Sequence, residues 1–344
     1  MIRPRRVFDA LVLLGLLWLA WRVLDWAVLQ AVFAPDLVAC RALDHAGACW
    51  GVVAAKWRPM LFGHFPFEDQ WRPALAALLL VGCTFGAAGA IAWRTHTASR
   101  SRALAGLALA GFAVSVALLR GGWAGLAPVP PEQWGGLPLT LLLAIGAWCL
   151  AWPVGIGLAY GRRAPSAMLS VPCTAVIEIV RGAPLVIWLF AAAFALPAAL
   201  PTAWTPGLLP RVLLVLGVFA GAYLAEILRG GLQTVPAEQT EAARVLGLGW
   251  WGIQRRIVLP QAVRATLPPM VSHAIGLLKD TSLVMVIGLH ELSGALGLAI
   301  GGDADWRPFY VEAYLFVAAL YFALCVTLAR LGRRLEHRLC PPTV

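Results

Sequence analysis

Acid, lysine and closely spaced cysteine are what this sequence has least of. Only 17 of its 344 residues are Asp or Glu, charged residues total 13%, and lysine stands at Lys56 and Lys279 alone. Set against 60% hydrophobic residues and a mean hydropathy of +0.79, that scarcity excludes an ordinary soluble domain. The seven cysteines include no C-x-x-C pair, which argues against a zinc or iron–sulfur centre, and no metal site is expected. No G-x-x-x-x-G-K-[ST] loop occurs, and "GLLKDTS" at 276–282 lacks its pattern, so the chain carries no P-loop of its own. His290-Glu291 opens like a zinc-protease helix, but no histidine stands four positions after His290. No Ser/His/Asp order, Gly-rich dinucleotide loop, low-complexity linker or internal repeat stands out. A catalytic site is therefore not expected.

What the chain does have is long apolar runs. A spanning helix needs roughly 20 mainly apolar residues, and eight stretches qualify, near 8–33, 74–93, 103–120, 137–160, 167–196, 208–229, 267–290 and 310–331. The expected fold is an all-α integral membrane protein of about eight spans. The net charge of +10 comes from arginine clusters beside these runs rather than from one basic face, so it is topogenic and calls for no nucleic-acid partner. Arg3, Arg5 and Arg6, then Arg94, Arg100 and Arg102, then Arg162 and Arg163, then 229–264, then Arg333, Arg334 and Arg338 fall on one side, while 121–136 and 197–210 hold no Lys or Arg. That asymmetry predicts both termini in the cytoplasm.

The first run is too long for a signal peptide, carries Arg22 and Asp25, and lacks a small-x-small cleavage site, so it reads as a retained anchor. Arg22 and Asp25, three apart on one helix face, are expected to pair. Cys40 and Cys49 lie in the outward segment 34–73, where an oxidising compartment would leave them bonded and a reducing one free. Trp50, Trp57 and Trp71 in that segment read as an interfacial belt.

A Gly/Pro-rich stretch at 120–136 separates the first three spans from the last five and puts a boundary near residue 133. The chain is thus expected as an N-terminal extension, 1–133, and a core, 134–344. Five spans do not divide into two equal inverted halves, which counts against many secondary-transporter architectures. Gly82 and Gly86, and Gly217 and Gly221, set small residues one turn apart for close helix packing.

Between two apolar runs lies a polar stretch, 234–265, that is longer than a connection requires. Thr234 is placed to cap, Pro236 suits a first turn, and Glu238 and Glu241 bring negative charge near a helix start. Gly247 and Gly249 then allow a sharp bend before "WWGIQRRIVLP", and Pro260 is expected to break the chain again. Ala242 and Ala243 strip bulk from the first helix. Physics alone leaves two readings open, a helix seated in another protein's groove or one resting on the membrane surface.

The spacing Glu241-Ala242-Ala243, then Gly247, then Ile257-x-Leu259-Pro260 resembles the EAA loop of binding-protein-dependent ABC transporter permeases. "GGLPLTLLLAIGAW", "GRRAPS", "IEIVRGAPL" and "KDTSLVMVIGL" are similar to successive segments of the polar amino acid subfamily, and the N-terminal extension resembles the longer general L-amino acid permeases. This resemblance implies a coupling helix gripped by a separate ATPase subunit in two copies, which alone would hold ATP and Mg. It also implies a second permease subunit, more in the manner of a heterodimer, and a periplasmic amino-acid-binding protein, in a bacterial inner membrane.

Polar groups at membrane depth are functional candidates. Glu178 and Arg181, and Glu226 and Arg229, recur at i,i+3 and can self-neutralise. Pro184 is placed to kink its helix and free a carbonyl. Lys279 and Asp280 fall about 20 Å into a span that starts near 267. Adjacent residues point apart, so each needs another partner. A zwitterionic amino acid would meet both, with Thr281 and Ser282 as donors; a buried network with Glu178, Arg181 or Glu312 is the alternative. His273 reads as a polar packing residue. An ion-coupled carrier and a non-transporting scaffold or sensor are the competing functional readings.

Overall fold

The computed structural model of the 344-residue chain describes residues 4–44, 46–93, 98–201 and 205–339. Among these residues there is no strand, only two isolated bridges, Val32 with Cys49 and Gly136 with Glu291. The regular elements are helices joined by short turns and loops: α1 (Pro4–Leu24), α2 (Leu37–Ala42), α3 (Gly51–Phe62), α4 (Trp71–Trp93), α5 (Ala98–Arg120), α6 (Gly136–Arg162), α7 (Ala167–Gly182), α8 (Leu185–Phe190), α9 (Leu196–Ala199), α10 (Leu208–Thr234), α11 (Ala237–Val245), α12 (Trp250–Ile253), α13 (Leu259–Ala265), α14 (Leu267–Asp280), α15 (Leu292–Gly301) and α16 (Tyr310–Leu339).

Six helical segments are long and apolar enough to cross a bilayer, and a seventh is added if α7 and the helices after it count as one span bent by 105°. Eight were expected. The expected span at 74–93 is α4, which borders residues outside the described part and is not among the six. The Arg94 of the second arginine cluster lies outside the described residues.

The centre of the bundle is α6 against α10. Each is 27 residues, about 40 Å at helical rise, enough to span. They come close because glycines remove bulk where the helices touch. A Cβ on Gly217 would lie 2.6 Å from Leu150 Cβ, and one on Gly221 would lie 2.6 Å from Val154 Cγ1. The other small pair, Gly82 and Gly86, meets nothing within 4 Å among the described residues. Residues on both sides of position 133, from Phe62 to Leu289, share one buried apolar cluster, so α4 and the ends of α3 and α5 are packed into the bundle, whereas the apolar side chains of α1 stay exposed.

The break at Ala183-Pro184 has the expected cause. Proline cannot supply the amide that would continue α7, and the indole of Trp188 donates to the freed carbonyl of Val180 at 3.2 Å. Asp25 departs from expectation. It accepts from Gln30 Nε2 at 2.9 Å and forms no ion pair with Arg22 among the described residues. The helix widens into a π turn at Asp25–Leu29, and a turn closed between residues five apart sets Gln30, not Arg22, beside the carboxylate.

One end of the molecule is tied by polar groups. Cys40 and Cys49 are joined in a disulfide, and the Cys49 amide donates to the buried carboxylate of Glu312 at 2.9 Å. Glu312 is thereby committed to this contact rather than to Lys279. Glu291, fully buried, caps α15 by accepting from the amides of Ser293 and Gly294 at 2.9 and 3.1 Å, while Tyr321 and Thr140 donate to its other oxygen at 2.6 and 3.1 Å. Arg72, also fully buried, donates to the carbonyls of Leu118 and Leu119 at the end of α5 and of Ala127 beyond it, answering acceptors that a helix end leaves open.

Candidate functional site

At the opposite end of α10 the chain makes the elbow that the sequence singles out. Pro236 takes the N-cap position of α11 in extended backbone, and no side chain caps the helix. Thr234, expected to cap, is the last residue of α10, where its hydroxyl donates back to the Gly231 carbonyl at 2.8 Å. That back-bonding is open to a threonine inside a helix and removes it from the next one. Glu238 sits in the first turn of α11, where the helix dipole favours it.

The bend is a Schellman motif built on Gly247. Its φ is +77°, its amide donates to Arg244 O at 2.9 Å, and the next amide, of Leu248, reaches back to Ala243 O at 3.1 Å. Gly249 then leads into α12 in extended backbone. From Trp250 the chain stays helical: α12, one π turn at Gln254–Val258, then α13. Pro260, expected to break it, falls in the first turn of α13, where a missing amide is tolerated, and the π turn before it absorbs the change of register.

The expected coupling residues divide by exposure. Glu241 and Ala242 face outward, whereas Ala243 is buried with Ile253, Val258 and Ala262. Ile257 and Leu259 pack against the core, and Pro260 is half-buried. These residues hold the elbow to the bundle. Gln261 fastens its two arms, donating to Gln239 Oε1 at 2.6 Å, and Gly231 lets α10 approach so closely that a Cβ there would sit 2.4 Å from Ala262 O. The outward tip is apolar: Val245 is 88% exposed, Leu246 80% and Trp251 79%. Sequence reasoning missed these three. Their signal is the placement of large apolar side chains on both sides of a left-handed glycine, Val245 and Leu246 at the end of the otherwise polar α11 and Trp251 in α12.

Above the elbow lies a cluster of ions. Glu226 receives Arg162 at 2.5 Å, Arg229 at 3.1 Å and Arg181 at 3.8 Å, and Arg162 also reaches Glu178 at 3.2 Å. Glu178 and Arg181 therefore do not neutralise each other, as their spacing suggested. Each finds a charge on a neighbouring helix, which ties α6, α7 and α10 together. Glu226 and Arg229 do pair.

Deeper, His273 is held between the rings of Trp148 and Tyr223, with its Nε2 2.9 Å from Ala220 O. Arg181 stacks on the other partner of this group, with its guanidinium carbon 5.3 Å from the Tyr223 ring centre. Lys279 is exposed and Asp280 half-buried, and neither forms an ion pair or hydrogen bond among the described residues. Thr281 is buried and donates to Leu278 O at 2.8 Å, so its hydroxyl is already used; Ser282 remains partly exposed.

Long apolar helices packed around a polar axis, with a glycine-hinged elbow presenting an apolar tip outside them, define a multi-pass membrane permease subunit. The chain belongs to the family described as binding-protein-dependent transport system inner membrane component, which matches residues 151–339. It is 35% identical over 334 residues to the inner membrane amino-acid ABC transporter permease protein YhdY of Escherichia coli K12, covering 96% of this chain and 89% of that one. It is 32% identical over 384 residues to the glutamate/glutamine/aspartate/asparagine transport system permease protein BztC of Rhodobacter capsulatus, covering 95% and 88%. A solved amino acid ABC transporter with histidines superposes with a TM-score of 0.50 at 28% identity, over 58% of this chain and 90% of that one. The first two matches take in the N-terminal helices; the third does not extend over the full chain.

Proposed function

We propose that this chain is the membrane-spanning permease subunit of an ATP-driven importer that carries polar L-amino acids across a bacterial inner membrane. The observation that carries this reading is the elbow at 234–265: an outward-facing Glu241 and Ala242, a left-handed Gly247 and an exposed apolar tip, held to the bundle by buried Ala243 and half-buried Ile257, Leu259 and Pro260. Such a shape suits insertion into a cleft of a separate ATPase. With no P-loop in the chain, ATP and Mg are supplied there. Two ATPase copies drawing together would shift the spans between inward-open and outward-open states, because a partner that binds one state better biases the equilibrium toward it.

The remaining assignments follow from the same reading. The elbow faces the cytoplasm with both termini, and 34–73 faces the periplasm, where the Cys40–Cys49 disulfide is stable and a solute-binding protein delivers substrate. The core, 134–344, does the transport and the extension, 1–133, braces it. Lys279 and Asp280, with Ser282 beside them and Glu178 and Arg181 at the ion cluster, line the substrate pathway. A second, homologous permease subunit closes it over the exposed Lys279. Lys279 and Asp280, which form no ion pair or hydrogen bond among the described residues, suit the two charges of a zwitterion.

Reconstitution into liposomes with the candidate ATPase, second permease and binding protein tests the reading. Amino-acid uptake that requires ATP and survives an uncoupler is expected. Uptake driven by an ion gradient without ATP would overturn it in favour of a secondary carrier, and no uptake under either condition in favour of a scaffold.

A further inference from the structure

A cavity of about 1040 Å³ opens behind the elbow, between it and the ends of α6 and α7, away from Lys279 and Asp280. Its floor is apolar and lies within the span. Ile156, at the deep end, is about 10 Å of helical rise below Arg163, at the mouth. Its wall is aromatic: Tyr160, Trp250 and Trp251 stand edge-on in series, with ring centres 5.8 and 4.7 Å apart. Amphipathic rings of this kind settle where a bilayer meets water.

The mouth is cationic. Arg163, Arg244 and Arg255 line it against the single carboxylate of Glu241, and none of the four forms an ion pair among the described residues. Tyr160 lines the cavity, and its hydroxyl is buried with no hydrogen-bond partner among the described residues. A buried hydroxyl left unpaired is costly, and most such groups in folded proteins are satisfied, so its position points to an occupant.

We propose that this cavity binds an anionic phospholipid from the leaflet at the elbow end. Guanidinium groups match the oxygens of a phosphate, Tyr160 donates to a headgroup or ester oxygen, and the acyl chain covers Ile156 and Val258 on the floor. A soluble phosphate would meet the charge and leave the apolar floor wet. Because the lipid touches both the spans and the elbow, its presence stiffens the joint through which the elbow moves them. The inference rests on the elbow being the moving part, but the binding site itself does not.

Lipid retention on the purified full chain, counted by native mass spectrometry after incubation with vesicles of phosphatidylglycerol or phosphatidylcholine, tests the site. The chain is expected to keep phosphatidylglycerol at least tenfold better than phosphatidylcholine. Arg163→Gln/Arg255→Gln is expected to lose most of that preference, and Tyr160→Phe, which preserves shape, to weaken retention several-fold with thermal stability in detergent unchanged. Equal retention of the two lipids, or full retention by both variants, would overturn the proposal. So would displacement by millimolar inorganic phosphate, which marks a free-anion site, or by added ATPase, which marks a partner's seat. An ATPase that never binds the elbow would sink the coupling reading and leave these lipid counts as they are.

Discussion

Lys56 Nζ lies 2.5 Å from Asp303 Oδ2, joining α3 of the N-terminal extension to the loop after α15. Arg41 repeats the link with Asp305 at 2.7 Å. Together with the Cys49 amide on Glu312, these contacts clamp the disulfide-closed loop to the start of α16 and the loop before it. The hydrogen bond from Lys56 holds the Asp303 carboxyl below the usual carboxylate range. An acid with a depressed folded-state pKa stabilises the fold above its unfolded value of about 3.9, and loses that contribution as pH falls through the folded value. The clamp is therefore at full strength at neutral pH and loosens below about pH 4. Amide protection in α3, corrected for intrinsic exchange, is expected to fall over that range in the native chain. In Asp303→Asn it is expected to be lower at pH 7 and flatter with pH; an identical pH profile in both chains would contradict the assignment.

Gly247 carries the second prediction. Its φ of +77° is hard for an L side chain, yet a Cβ there meets nothing within 4 Å. The cost of substitution is thus conformational and not steric, on the order of 1–2 kcal/mol for an ordinary residue and less for Asn, which tolerates this region. Gly247→Asn is expected to retain much of the ATP-coupled uptake, Gly247→Ala less, and Gly247→Val least. Gly247→Asp, which adds a charge at the bend beside Glu241, is expected to abolish it at normal membrane abundance. Uptake that ranks the neutral variants by volume alone would show that space, not backbone, sets the requirement.

The elbow's two faces make a third, paired prediction. Ala243 is 2% exposed and Leu246 is 80% exposed. Ala243→Leu overpacks a filled site, at a cost of about 1–3 kcal/mol, and is expected to lower the melting temperature of the permease in detergent. Leu246→Asp and Val245→Asp are expected to leave that temperature alone and to cut co-purification of the ATPase at least tenfold. Loss of ATPase binding without loss of stability separates a docking face from a structural one.

Much of this architecture was legible in the sequence, because hydropathy runs and glycine-governed bends are local properties. The apolar stretches marked most spans, and Gly247 marked the bend. What escaped notice depends on which helices become neighbours. Glu178 and Arg181 share a helix face, yet the closer approach of α6 and α10 gives each a better partner in Arg162 and Glu226. Glu291, noticed only as part of a failed zinc motif, became the cap of α15 because Tyr321 and Thr140 arrive from distant helices. Pro260 and Asp25 depart from their expected roles because π turns, which shift register by one residue, have no plain signature in composition.

The hub at Glu226 yields a fourth prediction. One carboxylate, 17% exposed, accepts three arginines from three helices, while Glu178, 57% exposed, meets one among the described residues. Removing a partly buried hub leaves several cations facing each other, whereas exposed pairs contribute little. Glu226→Gln is expected to destabilise the permease by on the order of 1–3 kcal/mol, and Glu178→Gln by well under about 1 kcal/mol. Thermal unfolding in detergent measures both, and equal effects would show that the cluster is not organised around Glu226.

The small residues supply the last test, because two pairs that look alike in sequence stand in opposite surroundings. Gly217 and Gly221 press against Leu150 and Val154 of α6 within van der Waals limits, while Gly82 and Gly86 meet nothing within 4 Å among the described residues. A β-branched side chain at Gly217 has to push α10 away from α6 and strip contacts along their seam, at a cost of about 1–3 kcal/mol or more for such overpacking. The same change at Gly82 displaces nothing among the described residues. Gly217→Val is therefore expected to lower thermal stability sharply and Gly82→Val to leave it unchanged. A loss at Gly82 confined to the assembled complex, and absent from the isolated permease, would place a partner helix against α4, since small residues at that spacing favour close helix association.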